Sequence, residues 1–120
     1  MDIVYFDNAA TSWPKPPSTI QAMNSYNEAV GGNPGRSGHR LSIEAGRIVF
    51  ETRERIAGLF NIKDLFQIVF RHNATDALNL AIFGILRNGG HAVVSSMEHN
   101  SVMRPLRWLE QNGTELTVVP

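Results

Sequence analysis

The chain has 120 residues, 42% of them hydrophobic and 18% charged, which is the composition of one ordinary globular domain. Eleven basic and eleven acidic side chains cancel, so neither a nucleic-acid footprint nor attraction to an anionic membrane is expected. Cysteine is absent, which excludes disulfides and zinc-thiolate sites and fits a reducing compartment; no cationic leader precedes an apolar core, and no apolar run approaches bilayer length, so a cytoplasmic protein is expected.

In chain order, Ile3-Val4-Tyr5-Phe6 reads as a short extended segment, followed by Asp7-Asn8-Ala9-Ala10-Thr11 and a turn rich in proline through Pro14, Pro16 and Pro17. A helix is predicted from about Pro17 or Ser18, with Ile20, Met23, Tyr26 and Val30 at helical spacing and Gly31-Gly32 as its end. The loop Asn33-Pro34-Gly35-Arg36-Ser37-Gly38-His39 comes next. Ser42 can then cap a long helix carrying Ala45, Val49, Thr52, Ile56, Leu59 and Phe60 on one face and ending before Asn61. Phe66-Gln67-Ile68-Val69-Phe70 reads as a strand, and Thr75, Asp76 and the apolar Ala77, Leu78, Ala81, Ile82 and Ile85 open a helix directly behind it. The pattern continues with a strand at His91–Ser95, a helix from about Ser101 to Gln111 closed by Gly113, and a strand at 115–119.

From residue 66 onward this is a βαβαβ order, which predicts an α/β fold with a mostly parallel sheet flanked by helices. Ligands of such sheets gather at the carboxyl ends of strands, where the Ala74-Thr75 turn and the Met97-Glu98-His99-Asn100 turn both fall. A helix N-terminus beside a strand end presents unpaired N–H groups and the positive end of the dipole, so the 71–80 junction reads as a phosphate cradle. The bland alternative is that Thr75 is only an N-cap and Asp76 only a favourable first-turn charge. Neither a glycine-rich dinucleotide fingerprint nor a Walker A run occurs. His, Asp and Glu show no metal-ligand spacing, and His39, His72 and His91 receive no assignment.

Four segments in one order carry a resemblance: Asp7-Asn8-Ala9-Ala10-Thr11, Asn33-Pro34-Gly35-Arg36-Ser37-Gly38-His39, Asn73-Ala74-Thr75-Asp76-Ala77-Leu78-Asn79, and Glu98-His99-Asn100. Together they resemble the class V aminotransferase-like enzymes that use pyridoxal phosphate, especially the cysteine desulfurase and selenocysteine lyase branch. The resemblance implies the N-terminal part of a fold type I large domain, preceded by a helix of the small domain, with residues 1–40 as that N-terminal segment and 41–120 as the first part of the large domain. It implies that Ala74 and Thr75 hold the cofactor phosphate, and that His99 stacks on the pyridine ring and moves protons. It further implies that Asn8, Ala9, Ala10 and Arg36 lie toward the substrate, the last from one subunit of a homodimer toward the other. Some relatives carry histidine where this chain has Gly35, so only a positioning role passes to Arg36.

The implied substrate is a small amino acid, L-cysteine going to L-alanine with sulfur passed to an enzyme cysteine, or the selenium equivalent, with a sulfur-acceptor protein as possible partner. A transaminase, an epimerase or a kynureninase-like relative is the alternative within the class. Lys15 and Lys63 are the only lysines, and neither matches the family's Schiff-base lysine. The last strand runs into Pro120 uncovered, which reads as a truncation, so the 120 residues by themselves are expected to lack the cofactor and to be inactive. Two readings from other classes are an α/β piece that self-associates through uncovered sheet edges, and a noncatalytic phosphate or nucleotide binder using the Thr75 turn.

Overall fold

The computed structural model describes residues 3–120. The element order is α1 (Pro17–Ala29), α2 (Arg40–Phe60), a single 3-10 turn (Leu65–Gln67), α3 (Ala74–Leu86), β1 (His91–Ser95), α4 (Asn100–Glu110) and β2 (Glu115–Val119). The chain divides into two compact units, one ending at Ile68 and the other spanning Val69–Pro120.

In the first unit, local polar contacts fix the backbone. The Tyr5 hydroxyl lies 3.0 Å from the carbonyl oxygens of Asp7 and Thr11, and the Trp13 ring meets Tyr5 edge-on at 5.6 Å. Pro17 starts α1, where its missing N–H and fixed φ cost nothing. The helix buries none of its residues; Ile20 and Met23 stand half exposed. Tyr26 donates its hydroxyl to the Gly32 carbonyl at 2.6 Å and closes the turn behind α1. Gly32 is dictated by space, because a Cβ there would lie 2.5 Å from the Leu41 carbonyl oxygen.

The long helix α2 starts at Arg40, with its cap three residues before the predicted cap Ser42. Its cap is His39, whose ring accepts the Ser42 N–H, which frees the Ser42 hydroxyl to donate to Asn33 O at 2.7 Å. The buried stripe is Ser42, Ala45 and Ala57, and not the whole predicted face: Thr52, Leu59 and Phe60 are exposed. Asn61 ends the helix in the left-handed conformation at φ 53°, as asparagine tolerates.

The predicted strand over 66–70 does not form. Asp64 accepts the Phe66 N–H at 2.9 Å and Ile68 N–H bonds to Leu65 O, so the segment begins as a 3-10 turn. A short polar side chain has outcompeted the ladder for a backbone donor. Ile68 then has extended dihedrals, but no neighbouring strand among the described residues supplies a ladder.

The second unit is a parallel β–α–β piece with α3 ahead of it. β1 and β2 pair in parallel with His91 opposite Glu115 and Val94 opposite Val118, and α4 makes the crossover that parallel pairing requires. The sheet here has two strands, fewer than the predicted βαβαβ order, because the 66–70 strand is missing. Two bonds lengthen the ladder at its ends, Glu115 N–H to Gly90 O at 2.8 Å and Ser96 N–H to Val119 O at 2.7 Å. Leu106 and Leu109 form the core with Pro105 and Ser101, and Thr114 is buried directly before β2. Against them pack α3 and the inward residues of β1, Ala92 and Val94, leaving a wholly apolar hollow of about 280 Å³.

Candidate functional site

The turn before α3 is built from side chains that bond to their own backbone. Asn73 caps the helix: its Oδ1 accepts the Asp76 N–H at 2.9 Å, and its carbonyl accepts the Ala77 N–H at 3.1 Å. The alternative in which Thr75 caps is thereby corrected, since the capping geometry needs a residue outside the helix and Thr75 is the second residue within it. The N–H groups of Ala74 and Thr75 have no acceptor among the described residues, as expected for the first positions of a helix. Asn79, one turn on, donates Nδ2 to the Thr75 carbonyl at 2.7 Å.

Arg71 reaches over this turn as a fork. Its Nε lies 2.9 Å from one Asp76 oxygen and its Nη2 2.6 Å from the other. The hydrogen bond from Arg71, more than bare charge attraction, holds the Asp76 carboxyl below the usual aspartate range, and Asp76 in turn raises Arg71. For a carboxyl lowered by folding, the contribution is complete above the ordinary aspartate pKa and is lost as pH falls through the lowered value. The fork is therefore closed throughout the neutral range.

His99 sits one position before α4 and caps it. Its Nδ1 accepts the Ser101 N–H at 3.1 Å and lies 2.8 Å from the Ser101 hydroxyl. An Nδ1 that accepts from a backbone N–H cannot carry a proton, so the neutral ring holds its hydrogen on Nε2. Two predicted residues at the starts of different helices, Thr75 in α3 and His99 capping α4, line one hollow of about 490 Å³, together with Asn79, Asn100, Arg104 and Trp108. The N-termini of α3 and α4 thus contribute to a single concave surface. A larger hollow, about 590 Å³, shares Asn79, Phe83 and Trp108 with it and contains Arg71, Asp76 and Arg87. The edge-on contact of Phe83 and Trp108, 5.5 Å between centroids, is common to the linings of both.

The remaining predicted residues belong to the first unit. Asn8 Oδ1 accepts the Trp13 N–H at 3.2 Å, and the Ala10 and Thr11 N–H groups donate to Asp7 O at 3.1 and 3.3 Å, making a tight exposed turn of Asn8, Ala9 and Ala10. Arg36 is exposed in the loop between α1 and α2 with no partner among the described residues. Arg71 and Asn79, which lie in the 71–80 junction, and Arg104 have no role assigned from the sequence. Asn79 had a signal, because it lies four residues after Thr75 on the same helix face. Arg71 had none, since its pairing depends on how the turn folds back. Among the described residues no cluster of His, Asp and Glu could hold a metal ion, and no helix is long and apolar enough to cross a membrane.

The sequence model of the aminotransferase class-V family matches residues 4–120. A probable cysteine desulfurase of Methanothermobacter thermautotrophicus is 35% identical over 98% of this chain, and the cysteine desulfurase IscS of Shewanella amazonensis is 38% identical over 95% of it. Among solved structures, the apo cysteine desulfurase of Thermococcus onnurineus NA1 superposes with a TM-score of 0.81 at 31% identity, and SspA in complex with cysteine with 0.83 at 29% identity. These cover 98% and 96% of this chain but 29% and 33% of the solved chains, and the chain likewise spans 29% of the length of the two curated relatives.

Proposed function

The chain belongs to the aminotransferase class-V family, and we propose that it is the N-terminal part of a pyridoxal-phosphate-dependent cysteine desulfurase or selenocysteine lyase. In this reading residues 1–40 supply a small-domain helix and active-site loops, and 41–120 supply the first part of the cofactor-binding domain. The observation that carries it is the convergence of Thr75 and His99 on one hollow, together with the N–H groups of Ala74 and Thr75 left without acceptors at the start of α3. That donor set fits a phosphate ester: hydrogen bonds from backbone amides and a hydroxyl, backed by the dipole of α3, with no cation required.

Each residue then has a task set by its chemistry. Ala74 and Thr75 bind the phosphate of pyridoxal phosphate, and the methyl side chain of Ala74 leaves room for it. His99, its ring oriented by the Ser101 N–H so that its hydrogen is on Nε2, would stack on the cofactor's ring and be placed to move a proton. The bound cofactor supplies the electron sink that makes the α-hydrogen of an amino acid acidic. The turn Asn8-Ala9-Ala10 and Arg36 bind and orient the small amino-acid substrate, Arg36 from the partner subunit of a homodimer. The complete protein releases alanine from cysteine, passing sulfur to a cysteine outside these residues and on to an acceptor protein, in the cytoplasm.

The test is binding of pyridoxal 5′-phosphate compared with pyridoxal, followed by quenching of Trp108 fluorescence in the full chain carrying Trp13→Phe, so that Trp108 is its one tryptophan. The phosphate ester is expected to bind about tenfold or more tightly, an advantage of about 1.4 kcal/mol carried by charge-assisted bonds. Thr75→Val narrows that preference by the share of the hydroxyl while the backbone donors keep the rest, and His99→Ala weakens both ligands alike. Equal binding of the two ligands would remove the cradle assignment.

A further inference from the structure

The first turn of α3 contains a conflict. Unpaired N–H groups and the helix dipole favour an anion there, yet Asp76 places a full negative charge in the same turn. For a helix with nothing to bind, such an aspartate is sufficient as it stands, and a cation closing over it adds little. For a helix that must accept a phosphate, an uncompensated aspartate repels the ligand.

The side chains around the turn resolve this selectively. Arg71 takes both carboxylate oxygens of Asp76 in a fork at 2.9 and 2.6 Å, and Asn73 takes the Asp76 N–H. The charge and the backbone donor of Asp76 are thus both occupied, while the N–H groups of Ala74 and Thr75 stay free. The fork also spans five residues and ties the segment entering the turn to the first turn of the helix. We infer that Arg71 and Asp76 form a positioning pair, which holds the Arg71–Ala74 turn in shape and keeps it electrostatically open to a phosphate. The inference rests on the reading of Ala74 and Thr75 as the phosphate-holding residues. Neither Arg71 nor Asp76 touches the phosphate; they act through the turn.

The experiment follows backbone amide shifts of the full chain as inorganic phosphate is titrated at low ionic strength, in the wild type and in Arg71→Gln, Arg71→Lys, Asp76→Asn and the Arg71→Gln/Asp76→Asn double variant. Arg71→Gln is expected to weaken phosphate by about fivefold, the size of one first-turn charge interaction with a helix terminus. Asp76→Asn keeps wild-type affinity or exceeds it, and the double variant recovers most of the loss, which a purely structural tie would not allow. Arg71→Lys keeps the charge without the fork, so it retains phosphate affinity while hydrogen exchange at Thr75 and Asp76 quickens, and it guards against misfolding of the glutamine variant. Unchanged affinity in Arg71→Gln, or a double variant as weak as that single one, overturns the pair. If phosphate moves neither the Ala74 nor the Thr75 amide in the wild type, the cradle reading falls and this inference with it.

Discussion

The two units of this chain solve the same problem by different means. In the second unit, Leu106 and Leu109 are 3% and 4% exposed and a parallel ladder runs from Gly90 to Val119 beside them, so packing between distant residues sets the structure. In the first, α1 buries nothing and α2 buries only Ser42, Ala45 and Ala57. What shapes that unit is mostly local: the Tyr26 bond to Gly32, the Ser42 bond to Asn33, the His39 cap and two ion pairs along α2, with Arg53 Nε donating to the carbonyl of the buried Ile68 at 3.1 Å as a longer-range tie. Large apolar side chains such as Ile43, Leu59 and Phe60 remain 62%, 78% and 68% exposed. The candidate phosphate turn lies in the unit with its own core, where a fixed geometry can be maintained, and the exposed substrate-side residues lie in the other.

The largest test of this contrast is Leu106→Ala. Emptying a buried leucine site costs about 2–5 kcal/mol, so the β1–β2 ladder and α4 should melt together at a lower temperature, while circular dichroism from α1 and α2 changes little. Loss of both units in one step would mean that they are not separately stabilised. The counterpart in the first unit is Gly32→Ala, where the new methyl meets Leu41 backbone that cannot rotate away. A cost of about 1–3 kcal/mol is expected, with exchange protection lost at Ser42 and Ile43 but kept at Val94.

The same division explains what could be read from the sequence. Elements with a strong period and clear punctuation were legible: α1 with its proline start, β1, and β2 with its five residues all correctly bounded. The helix starts differ from expectation by one to three residues: α2 and α4 are capped by His39 and His99, where histidine is a rare choice whose ring nitrogen does the work of a serine oxygen, and at α3 Asn73 caps ahead of Thr75. The apolar run 66–70 misled for a different reason. Its composition fits a buried strand, but a strand exists only with a neighbour to bond to, and Asp64 offered Phe66 a nearer partner. Of the site, Thr75 and His99 were visible as motif residues; the fork of Arg71 on Asp76 was not, because it depends on a turn and not on a spacing.

Smaller effects sharpen the comparison at single turns. Asn73→Ala removes the side-chain acceptor of the Asp76 N–H, and about 1 kcal/mol of stability should go with it. Fraying confined to Thr75, Asp76 and Ala77 in hydrogen exchange is the expected signature, with the ladder between β1 and β2 intact. Equal loss of protection along the whole of α3 would mean that the helix lacks the tertiary support that α4 is taken to give it.

The smallest effect belongs to the surface of α2. Arg40 Nε reaches Glu44 at 2.9 Å, but the arginine side chain is 83% exposed, so water and salt screen most of the attraction. Glu44→Gln should therefore cost no more than about 0.3–0.5 kcal/mol, as exposed pairs one helical turn apart do. The pair still has a use as a test. If the first unit is held by many weak local bonds and only a small core, removing one of them should lower its melting midpoint slightly and broaden the transition, and raising the salt concentration in the wild type should have the same effect. A sharp loss of the whole unit from this one substitution would mean that its contacts are cooperative, and that the exposed apolar side chains of α2 conceal a packing order as firm as that around Leu106.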